Sequence, residues 1–360
     1  MAEERSEEQG GEDLSQVLRH RREKLQELRD KGIEPFAYNF ERTESAEEAR
    51  ALFEAAESDE TLDDAGHGPR VRVGGRLVGW RDMGRSVFAH IEDVSGRIQL
   101  YFRKNVLGED DFETLGLLDV SDWIGVEGPL FRTRTGEVTV QVESWTLLAK
   151  SLRPLPFGKV ETDPETGERI VHSGFADQEG RYRQRYADLA VHPEVRDVFR
   201  LRSRVITALR RFLDEEGFLE VETPVLQPLY GGASAKPFVT RHNALDQRMY
   251  LRIADELYLK RLIVGGMDRV YEISKDFRNE GLSRMHNPEF TMLEWYQAFS
   301  DYREQMELVE RMVLYVLDEV LGTRTLEYGE HELVFEAPEH GAADVAAEAA
   351  RIMEGAAELA

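Results

Sequence analysis

Between residues 71 and 149 the chain changes sides at every step. Val71/Val73, Val87/Ala89/Ile91, Ile98/Leu100/Phe102 and Val138/Val140/Val142 are apolar sets of period two, interleaved with polar side chains. A strand has that period and a helix does not, so each set predicts a strand with one buried and one wet face. Ser95-Gly96 and Thr135-Gly136 punctuate the run as hairpin turns. Five short strands, carried by VRV, SVFAHI, GRIQLYF, WIGVEG and EVTVQVESW, therefore predict a small closed barrel.

An OB-fold is the leading candidate for that barrel, and the exposed face of an OB-fold commonly binds oligonucleotides. At 360 residues the chain has room for roughly two domains. Residues 1–13 read as a disordered acidic lead. Residues 17–32, VLRHRREKLQELRDKG, read as a helix whose apolar stripe is Val17, Leu18, Leu25 and Leu28 and whose stop is Gly32. Residues 17–31 hold six basic and three acidic groups inside a chain of net charge −24. That local excess predicts either a solvated helix face or a contact with RNA phosphates.

Residues 41–65 are acidic, Ala-rich and helical in pattern. Residues 151–175, with three prolines and DPETGE, read as a polar linker or flap. From His192 a long helix begins, with Pro193 at its first position and Val195, Val198, Phe199, Val205, Leu209, Phe212 and Leu213 at helical spacing. Gly217 ends it, and FLEVETP, residues 218–224, reads as a strand. A helix over 255–264 takes Asp255 as its N-cap. VYEISKDFRN and NPEFTMLEWYQAF then predict two long strands joined by GLSRMH, followed by a helix over about 301–320. Residues 342–360 contain nine Ala and one basic group, with little that belongs to a packed core.

Composition removes several functions. The chain has no Cys, which excludes a disulfide scaffold, a thiolate metal site and a cysteine nucleophile. No apolar run approaches the ~18 residues of a membrane span. MAEERSEEQGGED lacks the apolar stretch of a secretory signal, so a cytoplasmic location is expected and no membrane partner. An acidic surface repels DNA and RNA in general but does not exclude one specific nucleic-acid site, and no DNA partner is expected.

Residues 269–299 carry the densest chemistry. Arg278 and Glu280 fall near the end of one strand, and His286, Asn287 and Phe290 at the start of the next, so an antiparallel hairpin gathers them around one opening. Arginine offers a planar, permanently charged fork for phosphate. Phenylalanine offers a flat apolar face for a purine, and Glu and Asn address polar edges.

FRNEGLSRMHNPEFTMLEWYQAFSDY resembles motif 2 of the class II lysyl-tRNA synthetases. RFLDEEGFLEVETPVL is similar to their motif 1, with Pro224 at the end of the strand. GGASAKPFVTRHNALDQRMYLRIADELYLKRLIVGGMDRVYEI resembles the stretch between the motifs, and RYRQRYADL the hinge. GRIQLYFRK and LFRTRTGEVTV resemble the anticodon-binding barrel, and the likeness runs from about residue 17 to about 336. The resemblance implies an α+β chain: an OB-fold barrel, then a class II aminoacyl-tRNA synthetase antiparallel sheet flanked by helices, incomplete here. The implied divisions are 1–66 (lead and helices), 67–150 (anticodon-binding barrel), 151–190 (linker and hinge), 191–336 (catalytic domain with motifs 1 and 2) and 337–360 (tail).

The resemblance also implies a reaction. ATP activates L-lysine to lysyl-adenylate, and the lysyl group passes to tRNA(Lys). Arg278 would hold the α-phosphate, with Glu280, His286, Asn287 and Phe290 completing the ATP site and Phe290 stacked on adenine. Glu256 and Tyr296 would grip the lysine ammonium, and Gly232 and Glu294 would lie near its α-amino group. Without the resemblance, Glu256 reads as a first-turn carboxylate favouring a helix dipole. Phe88, Gln99 and Glu137 match positions that read the anticodon, while a barrel aromatic such as Phe88 is otherwise a core residue. Motif 1 implies a homodimer.

The family uses Mg2+, but its usual carboxylates, its third motif and its late acid in the lysine pocket are not found in this sequence, and no metal ligands are assigned. The expectation is a member truncated or divergent before that third motif, and poor at adenylation. Asp255 and Met285 stand where the family pattern leads one to expect other residues. Two further readings remain: a non-catalytic tRNA anticodon-binding fragment, and an aspartyl- or asparaginyl-type synthetase.

Overall fold

The computed structural model describes residues 2–162, 169–172, 175–283 and 285–336. It divides into two units, Met1–Val191 and His192–Ala360.

The first unit begins with helix α1, Ala2–Asp30. The acidic lead is thus helical rather than disordered, since Glu, Gln, Arg and Ala are good helix formers and no proline interrupts them. Of the expected apolar stripe only Leu28 is fully buried. Two cations of the basic segment are used internally. Arg21 donates to the carbonyls of Ser151 at 2.7 Å and Val120 at 2.9 Å, and Lys24 pairs with Asp119 at 2.8 Å. Helix α2, Ala46–Ser58, starts at a capping box of Ser45 and Glu48 and buries Ala46, Ala49, Phe53 and Ala56.

Six strands follow: β1 (His67–Asp82), β2 (Ser86–Glu92), β3 (Arg97–Arg103), β4 (Trp123–Arg132), β5 (Val138–Val142) and β6 (Ser144–Ala149). Short helices α3 (Lys104–Leu107) and α4 (Glu109–Thr114) bridge β3 to β4. The order is β1-β2-β3-β5-β4-β6, and β1 also pairs with β4, which closes a ring of five strands. The single strand expected over 137–145 is two, because β5 and β6 share the same edge of β4 on either side of a bend at Glu143. Gly128 makes the bend possible, since a Cβ there would collide with the Gln141 carbonyl. Every member of the four period-two sets is buried in one core. The hairpin glycines Gly96 and Gly136 have the positive φ their turns require.

The linker forms a short hairpin of β7 (Lys159–Thr162) and β8 (Arg169–His172); its DPETGE turn lies outside the described residues. Helices α5 (Gln178–Arg183) and α6 (Arg185–Val191) are joined through buried Asp188, which pairs with Arg181 and Arg185.

The second unit opens with α7, Pro193–Glu215, with Pro193 in its first turn. Only the C-terminal part of its expected apolar face is enclosed: Ala208, Phe212 and Leu213 are buried, whereas Val198 is 64% exposed. Gly217 turns the chain at φ +79°. The expected strand over 218–224 is only β9, Leu219–Glu220. It is cut short because the Glu272 carboxylate accepts from the Thr223 N–H at 3.2 Å and the Thr223 hydroxyl at 2.7 Å, in place of a ladder partner.

Next come β10 (Leu226–Gln227), β11 (Val239–His242) and β12 (Gln247–Leu251), forming a sheet in the order β10-β12-β11. Helix α8 (Glu256–Val264) precedes β13 (Arg269–Phe277) and β14 (Glu289–Gln297), the two long strands expected. These pair antiparallel, and β9 lies parallel on the far side of β13. Helix α9 (Tyr302–Leu321) begins at a capping box of Asp301 and Glu304. A small hairpin of β15 (Thr325–Tyr328) and β16 (His331–Val334) ends the described chain. The expected tail, 337–360, lies outside the described residues.

One buried charge cluster is decisive for the first unit. The Lys150 ammonium, with no exposed side-chain surface, sits 2.7 Å from Asp122 and 2.5 Å from Asp119. Removing one partner of such a pair strands a buried charge. Lys150→Ala is therefore expected to cost ~3–5 kcal/mol, measured by urea unfolding; a loss below about 1 kcal/mol would assign the cluster no structural weight.

Candidate functional site

The β13–β14 ladder fixes which side chains share a face. Val270 faces Tyr296, Glu272 faces Glu294, Ser274 faces Met292, and Asp276 faces Phe290. Directly opposed residues of an antiparallel pair lie on the same side of a sheet. The even-numbered residues therefore form one polar face. The odd-numbered face, with Tyr271, Ile273, Leu293 and Trp295, packs against Phe212, Leu213, Leu308 and Met312 of α7 and α9. Covering one face with helices leaves the other to carry chemistry.

At the open end of the hairpin, the Arg278 guanidinium lies over the Phe290 ring, 5.0 Å from its centroid. Its backbone N–H is held by the Pro288 carbonyl at 2.9 Å, and its side chain approaches the Ile253 carbonyl at 3.4 Å. This juxtaposes a phosphate-binding fork with a flat apolar face. Glu280 is exposed and accepts from the Lys236 N–H at 3.3 Å. His286 and Asn287 are exposed and bonded within their own loop, His286 to the Ser283 hydroxyl at 2.8 Å and Asn287 to the Glu289 carbonyl at 2.7 Å. Neither turns toward Arg278 through a hydrogen bond of its own.

Further along the face, Gly232, Glu256, Glu294 and Tyr296 come together. Gly232 has φ +89°, and a Cβ on it would stand 2.9 Å from the Glu256 Cβ and 3.1 Å from that of Ala254. Glu256 holds the Lys260 ammonium at 2.5 Å, and that ammonium lies 5.8 Å from the centre of the Tyr296 ring. This is an i,i+4 pair at the helix surface, with Lys260 more than half exposed and the Tyr296 ring beside it. Glu294 accepts from the Asp255 N–H at 3.3 Å. Burial pushes Tyr296 up to about 12, with the negative charges of Glu294, Glu256 and Asp255 adding to the effect. Burial also raises Glu294 above its ordinary range.

Sequence reasoning missed what lies behind Glu294. Asp255 is not a side-chain N-cap; it is wholly buried, accepts from the Ser274 hydroxyl at 2.7 Å and pairs with Arg252 at 3.1 Å. Arg252 also meets Glu272 at 2.7 Å and Asp276 at 3.2 Å. Burial, and then the neighbouring charge of Asp255, pushes Asp276 up to about 7. The sequence pattern points the other way: Glu272, Ser274 and Asp276 alternate in β13, which ordinarily marks a solvent-facing side, yet all three are buried.

On the barrel, the wet sides of β2 and β3 form a second polar surface. Phe88 is half-buried on this outer side rather than in the core, stacked on Tyr101 at 4.4 Å with an interplanar angle of 19°. Glu137 accepts from Gln99 at 2.7 Å and meets His90 Nε2 at 2.8 Å, while Thr139 donates to Gln99 at 2.8 Å. The structure thus gathers Phe88, Gln99 and Glu137 on one surface and adds His90 and Tyr101, which alternation alone would place there.

Known families match both units. Residues 71–148 match an OB-fold nucleic acid binding domain, and residues 177–353 match the tRNA synthetases class II (D, K and N). The chain belongs to the class II tRNA synthetases. Within them it is similar to a lysine–tRNA ligase of Pelotomaculum thermopropionicum, 51% identical over 317 residues covering 88% of this chain and 58% of the relative. It is similar also to those of Halalkalibacterium halodurans, 49% identical with 90% and 61% covered, and Bacillus subtilis, 46% identical with 91% and 62% covered. The chain spans about three fifths of the length of these curated relatives. The family match reaches residue 353, beyond residue 336 where the likeness read from the sequence ends.

Gly232 offers a direct test of this packing. Gly232→Ala forces a side chain into a positive-φ position against Glu256, at a cost on the order of 1–3 kcal/mol. Urea unfolding that leaves the variant as stable as the parent would show that the loop yields freely.

Proposed function

We propose that the chain acts as a lysine–tRNA ligase, activating L-lysine with ATP and transferring it to tRNA(Lys). The observation that carries this reading is the convergence of Gly232, Glu256, Glu294 and Tyr296 beside the Arg278–Phe290 pair. Lysine presents two ammonium groups, and an ammonium leaving water needs anionic partners, because its unpaired burial costs several kcal/mol. Glu256 and Tyr296 supply one such grip, and Gly232 and Glu294 the other. An aspartate side chain would instead meet the field of Glu256 and Glu294, which argues against an acidic substrate.

In the reaction, the lysine carboxylate attacks the α-phosphorus of ATP, pyrophosphate leaves, and the terminal adenosine hydroxyl of the tRNA then takes the lysyl group. This chain's residues act by position and charge. Arg278 holds the α-phosphate, Phe290 stacks on adenine, and Glu280, His286 and Asn287 close on the nucleotide. Magnesium enters with ATP as part of the substrate. The barrel reads the anticodon: Phe88 stacks on an unstacked base while Gln99 and Glu137 address base edges. The exposed Val198 and Leu201 of α7 are consistent with a homodimer through the motif 1 helix, and translation places the protein in the cytoplasm. No helix among the described residues is long and apolar enough to cross a membrane.

Calorimetric titration with amino acids tests the substrate. L-lysine should bind, norleucine, which keeps the four-carbon stem but lacks the ammonium, should not, and Glu256→Gln should weaken lysine by at least about tenfold, or ~1.4 kcal/mol. Aspartate or asparagine binding as well as lysine would overturn the assignment. A second titration tests the barrel. Phe88→Ala should weaken a lysine-type anticodon stem-loop by ~1–3 kcal/mol, and equal binding of unrelated anticodons at fixed salt would contradict specific reading.

A further inference from the structure

Behind the proposed lysine pocket, one carboxylate oxygen each of Asp255, Asp276 and Glu294 lies within 4.8 Å of the others. Asp255 and Asp276 are wholly buried and Glu294 is half-buried toward the open face. The guanidinium paired with Asp255 and Asp276 is that of Arg252, which is also committed to Glu272, while the charge of Arg278 reaches Glu294 from the open end of the hairpin. Asp255, Glu272 and Asp276 therefore share one buried guanidinium, with Glu294 beside them, in a place where an uncompensated charge is costly. Two oxygens of the cluster, Asp255 Oδ1 and Asp276 Oδ2, are buried with no hydrogen-bond partner among the described residues, and Asp255 Oδ1 has only the ion-pair contact with Arg252.

We propose that Asp255, Asp276 and Glu294 form a site for a hard divalent cation of the Mg2+ or Mn2+ class. Carboxylate oxygens are the ligands such ions prefer. Oxygens on opposite sides of an ion at 2.0–2.6 Å stand roughly 4–5 Å apart, which is the spread the three groups already have. With all four acids ionised, a divalent charge would bring four carboxylates and Arg252 from −3 to −1. It would give the unpaired oxygens of Asp255 and Asp276 a partner. The ion would enter past Glu294, the only one of the three with exposed surface, and water would complete its shell on that side. It would fix the floor of the pocket and the N-terminal end of α8, whose Asp255 N–H already bonds Glu294.

The test needs neither nucleotide nor tRNA, so its failure is separate from that of the lysine assignment. Mn2+ is titrated into the full, chelator-treated chain at physiological ionic strength, with free Mn2+ followed by electron paramagnetic resonance. One saturable site per chain is expected. Asp276→Asn, which keeps shape and hydrogen-bonding capacity, should weaken it by at least about tenfold, the scale that loss of even an outer-shell partner produces. The exposed-helix variants Asp110→Asn and Asp111→Asn should leave it unchanged. Should Asp276→Asn fail to fold, Glu294→Gln carries the same expectation. Weak binding common to all variants, or a tight site that survives both Asp276→Asn and Glu294→Gln, would overturn the proposal and leave the buried acids to share a proton.

Discussion

The ladder between β13 and β14 runs from Arg269↔Gln297 to Phe277↔Glu289 without a break, and a slip of one residue would exchange its two faces. Such a slip would drive Glu272, Asp276 and Glu294 against Phe212, Leu213 and Met312 and expose Tyr271 and Trp295. The apolar face thus holds the register, and the register places the chemistry. Tyr271 shows how firmly: it is wholly buried, and its hydroxyl donates to Asp214 at 2.9 Å. Geometry at Arg278 and Phe290 is inherited from packing on the opposite side of the sheet.

Charge is managed differently in the two units. In the first, Lys150, Lys24 and Arg21 meet Asp119, Asp122 and carbonyl oxygens, so the buried cations are matched. In the second, acids outnumber the one arginine among them, and the surplus surrounds the place where a cationic substrate is proposed to bind. An interior that needs compensation has a built-in affinity for cations, at the expense of stability when empty. The acidic composition of the whole chain is a separate matter, since surface charge is screened within about 8 Å at physiological ionic strength.

The parts legible in the sequence were those where one periodicity governs. All four apolar sets of the barrel are buried as expected, and the long hairpin was read from its two strands. Gly232 and Glu256 came from resemblance, and their contact was visible only once the chain was folded. The acidic lead and the two-residue β9 were missed because tertiary hydrogen bonds and helix propensity outweighed local pattern. Asp255, Asp276 and Arg252 were missed for a related reason: alternation says which residues share a face, not whether that face is wet. Glu272 and Ser274 resemble an exposed strand edge until α8 and Arg252 are set over them.

A crystal structure of the chain with L-lysine and a nonhydrolysable ATP analogue bound tests the account most directly. The side-chain ammonium should lie between Glu256 and Tyr296, the α-amino group beside Gly232 and Glu294, the α-phosphate on Arg278 and the adenine against Phe290. Ligands bound away from the even-numbered face of β13 and β14, or a lysine held without Glu256 or Glu294, would contradict it.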